Sequence, residues 1–232
     1  MIVYGRNPVR EALRGKRTVS RTWATEQAAR EEWLREAGPE IVSDAELEAI
    51  CGSPDHQGVC AEAGEYPYAD ALDLLDADDA LVVCLDQVQD PQNLGAVCRV
   101  AEAAGAAGVV IGERRSAQVT PAVCKASVGA VEHLNVARVG NLADYLTAAK
   151  ESGAWVYGAA AHGATSYDEP DYTGRVVLVL GSEEKGLRPR VADSCDALVA
   201  LPMRGRVDSL NVSAAAAALL YGILHFRGSA LT

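Results

Sequence analysis

The sequence predicts an α/β protein whose larger part contains a parallel sheet. From residue 80 onward, near-continuous apolar segments recur without the alternation expected of a strand that buries only one face. Helical stretches separate most of these segments, and uniformly apolar strands spaced by helices are typical of a parallel sheet covered on both faces. The predicted strands are residues 81–85, 108–111, 134–139, 155–159, 176–180 and 197–201.

The helices predicted between these strands cover residues 94–104, 121–129, 142–152 and roughly 189–195. The C-terminal segment 213–227 reads as one further buried helix, in which five consecutive alanines allow neighbouring elements to approach closely. Gly228 follows it as a stop signal, and either Ser209 or Asn211 is expected to cap its start. Its apolar residues at helical spacing are Val212, Ala216, Leu219, Leu220, Ile223 and Phe226.

The first 64 residues predict a smaller α/β domain. Short strands at 2–4, 18–24, 40–42 and 59–63 alternate with helices at 8–13, 26–37 and 44–51. Asn7 before Pro8 suggests a helix cap, and Ser43 with Glu46 has the spacing of a capping box. Residues 65–79 are acidic and contain Pro67, so we interpret them as a linker with one helical turn at 72–75. The predicted organisation is therefore 1–64, linker 65–79, and 80–232.

The charge of the chain is strongly negative but unevenly distributed. The net charge of −11 over 232 residues argues against non-specific binding of nucleic acid. Residues 1–21, however, contain six lysines and arginines and one acid, whereas residues 22–80 contain two arginines and sixteen acids. The N-terminal basic cluster is compatible with an anionic partner, and equally with a solvated surface that keeps the protein soluble.

The six cysteines form no CxxC pair, and several lie in apolar runs. They predict small core residues in a reducing compartment rather than disulfides or metal ligands. The four histidines are scattered and lie in no HExxH motif, so no metal site is expected. No signal peptide and no apolar span of 18 residues is present, which predicts a cytoplasmic protein without a membrane anchor.

Three polar loops follow three of the predicted parallel strands. The first, 86–99, contains Asn93 as a predicted helix cap and Arg99 six residues later. The second, 181–189, places Glu183 between two glycines, and the third is 202–211. Ligands bind at the carboxyl ends of parallel strands, so these loops predict one site. The absence of GxGxxG, GxxxxGK[ST] and GxSxG motifs disfavours dehydrogenases, P-loop NTPases and α/β-hydrolases.

These loops resemble the three motifs of the SpoU (TrmH) family of RNA ribose 2′-O-methyltransferases, within the SPOUT class. The matching segments are DPQNLGAVCR (90–99), LVLGSEEKGL (178–187) and LPMRGRVDSLNVSAAAAALLYG (201–222). The segments YGRNPVREAL (4–13) and HQGVCAE (56–62) resemble the family's RNA-binding domain, which is similar to ribosomal protein L30e. This two-domain form is most like the bacterial enzymes that methylate a guanosine in the P loop of 23S rRNA.

The resemblance implies a C-terminal trefoil knot that binds S-adenosylmethionine, and a homodimer packed through the C-terminal helix. The cofactor contacts it implies are Gly181, Leu201 and Leu210. The residues it places in the catalytic site are Arg99, Asn93, Glu183, Ser209 and Asn211. RNA would be recognised by the N-terminal segment, with Arg6, Asn7, Arg10 and Gln57 as candidates.

Several alternatives remain open from the sequence. If the protein is an RNA methyltransferase, its substrate could be tRNA, or it could be an antibiotic-resistance methylase of rRNA. The alternative from a different functional class is a catalytically silent RNA-binding or ribosome-assembly factor. A guanidinium hardly ever loses its proton in proteins, so Arg99 is expected to orient the hydroxyl and a phosphate. Its structural alternative is a surface ion pair with Glu102 or Glu183. The sequence departs from the family in Val100, where a small polar residue is usual, and in the acidity of residues 22–80.

Overall fold

The computed structural model of the chain describes residues 1–161, 164–183 and 185–229. Its N-terminal part forms a four-stranded sheet in the order β1-β4-β2-β3. Strand β4 is antiparallel to β1 and to β2, whereas β3 is parallel to β2. The strands are β1 (Ile2–Tyr4), β2 (Val19–Ala24), β3 (Glu40–Ile41) and β4 (Val59–Ala63).

Three α-helices accompany this sheet: α1 (Arg6–Arg14), α2 (Glu32–Glu36) and α3 (Asp44–Cys51). The single helix expected at 26–37 is wrong, because Glu31 is extended and separates a 3₁₀ turn from α2. Asn7 is not a cap either: it lies inside α1, and Gly5 with a φ of 96° precedes the helix. The capping box of α3 is confirmed, since Glu46 accepts from the Ser43 amide at 2.8 Å and its own amide donates to the Ser43 hydroxyl at 3.3 Å.

Residues 65–79 pack against the rest of the chain although their composition suggested a linker. The Tyr66 hydroxyl is placed to donate to the carbonyls of Leu134, at 2.7 Å, or Val131, at 3.0 Å. Leu74 and Leu75 are each 4% exposed and belong to a hydrophobic cluster with the central strands. This segment is therefore a fixed connection between the two sheets.

The second sheet has seven strands in the order β7-β6-β5-β10-β8-β11-β9, and all the neighbouring pairs are parallel. This confirms the predicted parallel sheet. The short strand β9 was not predicted, since two residues are too few to produce a pattern. The strands are β5 (Leu81–Asp86), β6 (Gly108–Gly112), β7 (Val136–Val139), β8 (Trp155–Ala159), β9 (Thr165–Ser166), β10 (Val176–Gly181) and β11 (Ala197–Ala200).

Helices cover both faces of this sheet. Alternate β5 residues belong to opposite clusters: Val83 lies in the cluster that contains residues of α4 and α8, and Val82 in the cluster that contains residues of α6. Such two-sided burial explains why the strands are apolar at every position. The helices are α4 (Pro91–Ala103), α5 (Pro121–Ala126), α6 (Leu142–Glu151), α7 (Pro189–Asp193) and α8 (Val212–Ser229).

Several predicted helix ends differ from the structure; α5, for example, ends at Ala126 instead of residue 129. Helix α4 begins at Pro91 because the Asp90 carboxylate accepts from the Gln92 amide at 2.8 Å, so Asp90 is the cap and Asn93 is not. Helix α8 continues through Gly228 instead of stopping before it. Among the described residues, no helix is long and apolar enough to cross a membrane. The knot stays a prediction, since strand order and register do not define threading.

Candidate active site

The loops after β5, β10 and β11 meet in a cluster of three polar side chains. The Asn93 amide donates to Glu183 Oε1 at 3.2 Å, and the Asn211 amide donates to Asn93 Oδ1 at 3.0 Å. Asn211 also donates to Glu183. Residues that are 90 and 118 positions apart in sequence are thereby joined, so the predicted convergence of these three side chains is present in the structure.

Two of these side chains also define the start of α8. The Val212 amide donates to Glu183 Oε1 at 3.3 Å, and the Ser213 amide donates to Asn211 Oδ1 at 2.9 Å. The sequence allowed either Ser209 or Asn211 as the cap of α8, and the cap is therefore Asn211. A carboxylate at a helix N-terminus accepts otherwise unpaired amides and is favoured by the helix dipole. Glu183 consequently couples the loop after β10 to the helix that follows the third loop.

A cavity of about 640 Å³ lies beside this cluster. Its walls come from the loops after β8, β10 and β11 and from the first turns of α8, and they combine aliphatic side chains with a few polar groups. The polar side chains include Glu183, Lys185, Asp208 and Ser209. All three predicted cofactor residues, Gly181, Leu201 and Leu210, line it.

The narrow turn at the end of β10 requires glycine at the last position of the strand. A Cβ atom at Gly181 would lie 2.1 Å from the carbonyl carbon of Gly186. No side chain fits at that distance, so the loop folds back on itself only with glycine at position 181. The Gly186 amide donates to the Ser182 carbonyl at 2.8 Å, and Gly186 has a φ of 62°. The chain thus forms a compact backbone wall for the cavity.

The size and lining of this cavity fit S-adenosylmethionine. Small-molecule pockets usually have volumes of several hundred Å³ and apolar walls with a few placed polar groups. Leu180, Leu187 and Leu201 supply aliphatic surface for an adenine ring. The Asp208 carboxylate is available to a cationic group of the ligand. The residues present are therefore suited to a nucleoside that carries a charged chain.

Arg99 lies on α4 but takes no part in the polar cluster. Its side chain is exposed, and it makes no hydrogen bond or ion pair with any residue that the structure describes. The alternative ion pairs with Glu102 and Glu183 are absent as well. The amide of Asn93 contacts Glu183 and Asn211, rather than Arg99. Among the described residues Arg99 is thus an unpaired guanidinium, on the same helix as Asn93 and six residues further along.

The four front-domain candidates for RNA binding lie apart from this cluster, and their two arginines are engaged. Arg6 pairs with Glu31 at 2.5 Å, and its backbone amide donates to Gln57 Oε1 at 3.1 Å. Arg10 pairs with Glu11 at 3.0 Å, whereas Asn7 is exposed. Arg6 and Gln57 line a second cavity of about 560 Å³. The basic N-terminal cluster is therefore partly neutralised by acids of its own domain.

An ion pair that supports the cavity, between a buried carboxylate and a half-exposed arginine, was not predicted from the sequence. Asp86, at the end of β5, accepts from the Arg188 amide at 2.8 Å and from its Nε at 2.7 Å. The Asp86 side chain is 0% exposed, so the pair fixes the far end of the loop that begins at Gly181. An acid at the carboxyl end of an apolar strand was the available signal. The lining contributed after β8, from Ala159 to Ala161, was missed too, because it contains only small apolar residues.

The cysteines near the site are poor nucleophiles. Burial raises the pKa of Cys98, the residue before Arg99, to about 12, and burial likewise raises the pKa of Cys195 to about 12. A thiol attacks only as its thiolate, and these two are protonated at neutral pH. Among the described residues, no group of three His, Cys, Asp or Glu side chains could hold a metal ion. Covalent catalysis through either cysteine is therefore disfavoured.

The parallel α/β domain, with its cavity at the carboxyl edge and a small α/β domain before it, has the architecture of the SPOUT-type methyltransferases that it resembles. The sequence matches the SpoU rRNA Methylase family over residues 80–221, and the family described as RNA 2′-O ribose methyltransferase substrate binding over residues 2–69. The chain belongs to the SpoU rRNA Methylase family. It is an S-adenosylmethionine-dependent RNA methyltransferase.

The similar proteins span nearly the whole chain. A putative TrmH family tRNA/rRNA methyltransferase of Bacillus subtilis, YacO, is 39% identical, over 97% of this chain and 95% of its own length. An uncharacterized tRNA/rRNA methyltransferase of Synechocystis is 37% identical over 98% of this chain, which spans only 63% of that relative. A similar solved structure is that of the SpoU methyltransferase AviRb from Streptomyces viridochromogenes, a crystal structure in complex with the cofactor AdoMet. Its sequence is 29% identical and its TM-score is 0.82; the match covers 99% of this chain and 91% of AviRb.

Proposed function

We propose that this protein methylates a ribose 2′-hydroxyl of RNA. We propose further that its best substrate is a guanosine in the P loop of 23S rRNA, as for RlmB, the bacterial 23S rRNA guanosine 2′-O-methyltransferase that its sequence resembles. The observation that carries the proposal is the contact of Asn93, Glu183 and Asn211 beside the cavity. This contact unites one residue from each of the three motifs. The match of residues 2–69 to a 2′-O ribose methyltransferase substrate-binding family supports ribose as the target.

The chemistry requires a poor nucleophile to be held in place. A ribose hydroxyl has a high pKa and must lose its proton as it attacks, so its orientation and charge matter most. When bound, S-adenosylmethionine supplies an electrophilic methyl group on a sulfonium. Arg99 would orient the hydroxyl and an adjacent phosphate and stabilise the developing negative charge on oxygen. Its guanidinium is exposed and has no partner in the part of the chain that the structure describes, so it is available for this role.

The other predicted residues would hold the site in shape. Gly181, Leu201 and Leu210 would contact the cofactor, since all three line the cavity. Asn93, Glu183 and Asn211 would keep the loops around it in register through their mutual hydrogen bonds. Ser209 lines the same cavity and would donate to the cofactor or to the ribose.

We also propose that the protein works as a homodimer packed through α8. One side of α8 is buried in the core, but Ala214 and Ala218 are exposed and Tyr221 is 52% exposed. The preceding loop adds Val207 and Leu210, which are 68% and 44% exposed. A second copy would cover this apolar surface. The free thiols of all six cysteines support a reducing, cytoplasmic setting.

A methyl-transfer assay with purified protein tests the proposal. Tritiated S-adenosylmethionine is supplied with unmodified transcripts of 23S rRNA, of an isolated P-loop hairpin and of tRNA, and labelled nucleotides are mapped after alkaline hydrolysis. The expected result is an alkali-resistant linkage at a P-loop guanosine. Label in tRNA, or elsewhere in rRNA as for a resistance methylase, would replace this substrate assignment. A protein that binds RNA but neither binds the cofactor nor transfers label would be a silent assembly factor.

A further inference from the structure

Arginines without a partner are concentrated at one edge of the seven-stranded sheet. In the described part of residues 80–232, five arginine side chains make no hydrogen bond, ion pair or ring contact with described residues. All five lie in segments that follow the carboxyl ends of β5, β6 and β11. They are Arg99, Arg114, Arg115, Arg204 and Arg206.

Elsewhere in the molecule most arginines are neutralised. Arg6 pairs with Glu31, Arg175 with Asp78 and Arg190 with Asp144. A protein with a net charge of −11 repels RNA unless some cations remain available to phosphates. The unpaired arginines at the carboxyl edge are therefore the main candidates for contact with a polyanion.

The loop that carries Arg114 and Arg115 is held against the loop that leads to α4. The Ala117 amide donates to the Val88 carbonyl at 2.9 Å, and Val88 lies between β5 and Asp90. The Gln118 amide group donates to the Gly112 carbonyl at 3.0 Å and to the Ser116 carbonyl at 3.2 Å, which closes the loop.

Both arginines are exposed on this closed loop, and Arg115 has a φ of 56°. A non-glycine residue adopts that conformation only where its surroundings enforce it. The two guanidinium groups are therefore presented by a fixed backbone. The carboxylate of the neighbouring Glu113 lies beside Gly140, the residue that follows β7. Its oxygen is 3.8 Å from the position that a Cβ atom on Gly140 would occupy.

We propose that Arg114 and Arg115 form a phosphate-binding site that grips the RNA substrate beside the methylated nucleotide. The inference rests on the proposed function, because it extends the substrate surface from Arg99 on α4 to the loop after β6. Guanidinium groups bind phosphate oxygens in a bidentate manner and suit this task better than lysines do. The front domain would then select the RNA by shape and hydrogen bonding, whereas this loop supplies much of the electrostatic attraction.

The test compares two double variants with the same loss of charge. The variant Arg114→Ala/Arg115→Ala removes the proposed site, and Arg30→Ala/Arg35→Ala removes two exposed arginines of the acidic front domain. The probe is the 23S P-loop hairpin transcript, with its Kd measured from 50 to 200 mM KCl. Loss of two phosphate contacts should reduce the slope of log Kd against log salt concentration by about 1.4. Between 50 and 200 mM KCl, the wild type should therefore lose about sevenfold more affinity than Arg114→Ala/Arg115→Ala does.

Further readouts separate a binding role from a structural one. The variant Arg114→Ala/Arg115→Ala should raise KM for RNA with little change in kcat, should keep wild-type affinity for S-adenosylmethionine, and should unfold at the wild-type temperature. The variant Arg114→Lys/Arg115→Lys should recover most of the salt slope. Equal slope changes in both alanine variants would overturn the inference, because net charge would then explain them.

The same experiment separates the inference from the proposed function. A wild-type protein that methylates RNA, together with an Arg114→Ala/Arg115→Ala variant of unchanged salt slope and KM, would overturn this inference alone. A wild-type protein that neither binds nor methylates any RNA would overturn the proposed function and this inference with it.

Discussion

Arg17 and Glu132 form an ion pair that is almost completely withdrawn from solvent, with side chains 1% and 0% exposed. Arg17 Nε donates to Glu132 Oε2 at 2.9 Å, and Arg17 Nη1 donates to the Gly64 carbonyl at 3.1 Å. Burial by itself lowers the pKa of Arg17, but the hydrogen bond and charge of Glu132 outweigh that effect and raise it. The pair joins the four-stranded part of the chain to the seven-stranded part, and so fixes how the two are placed.

Removing one member of this pair should be strongly destabilising. Arg17→Met leaves the Glu132 carboxylate buried without its partner, so we expect the free energy of unfolding to fall by about 3–5 kcal/mol in urea titrations. The exposed pair Arg21–Glu40 provides the control, since Arg21→Ala should cost less than about 1 kcal/mol. The double variant Arg17→Met/Glu132→Leu should be more stable than Arg17→Met. Equal losses in all three variants would contradict this account of the pair.

Two buried tyrosines should respond in opposite ways to loss of their hydroxyl groups. The Tyr145 hydroxyl is buried and has no hydrogen-bond partner among the described residues, so Tyr145→Phe should leave stability unchanged or raise it by up to about 1 kcal/mol. The Tyr66 hydroxyl lies 2.7 Å from the Leu134 carbonyl, and Tyr66→Phe should cost about 1–2 kcal/mol. Chemical denaturation of both variants measures the contrast. A loss in Tyr145→Phe as large as that in Tyr66→Phe would refute it.

Gly181 should tolerate no side chain. In Gly181→Ala the new methyl group would meet the Gly186 backbone at 2.1 Å, so the loop must open and the cavity wall must move. We expect the affinity for S-adenosylmethionine, measured by calorimetry, to fall at least about tenfold, which corresponds to about 1.4 kcal/mol. Gly205→Ala is the matched control, because its methyl group would approach only the Val207 amide, at 4.0 Å. Wild-type cofactor affinity in Gly181→Ala would contradict the predicted role of this residue.

Arg99 should matter for turnover and not for folding. Because its side chain is exposed and unpaired among the described residues, Arg99→Ala should unfold like the wild type and keep its affinity for S-adenosylmethionine. If Arg99 stabilises charge on the reacting oxygen, kcat should fall by about 10²–10³. Glu102→Ala, an exposed change on the same helix, should have near-normal turnover. Near-normal turnover in Arg99→Ala would remove this residue from the mechanism.

Cys98 should make the stability of the protein depend on alkaline pH. Burial raises its pKa from the ordinary thiol value of 9.0 to about 12, so the folded state holds this proton more tightly than the unfolded state does. The contribution of this thiol to the free energy of unfolding is fully present below pH 9. It is lost as the pH rises towards 12, at up to about 1.4 kcal/mol per pH unit. Urea titrations from pH 8 to 11 should therefore show a shallower decline for Cys98→Ala than for the wild type.

Val97→Ala is the control for this pH dependence. It truncates a neighbouring side chain of α4 that is 0% exposed and cannot ionise. Its loss of stability should be the same at every pH, because only packing changes. If Cys98→Ala and Val97→Ala gave parallel curves, the thiol would contribute nothing to the alkaline decline.

The local patterns of the sequence were sufficient for most of the secondary structure. Strands such as Leu81–Asp86 and Val176–Gly181 are apolar runs of ordinary strand length, and the capping box at Ser43 involves residues three positions apart. Prediction was poorer where neighbouring signals compete. Asp90 caps α4 in place of Asn93, and Glu31 interrupts the expected helix at 26–37, since a cap or break depends on single backbone conformations.

The sequence by itself determined that this chain forms a parallel α/β domain with three polar loops at one edge, because apolar runs, caps and motifs are properties of short segments. Only the tertiary structure decided which groups meet: Asp86 with Arg188, Arg17 with Glu132, and Glu183 with both Asn93 and Asn211. It also decided which arginines remain unpaired. Such contacts join residues about 30 to 120 positions apart, and their geometry comes from the packing of whole strands and helices, which no short segment encodes.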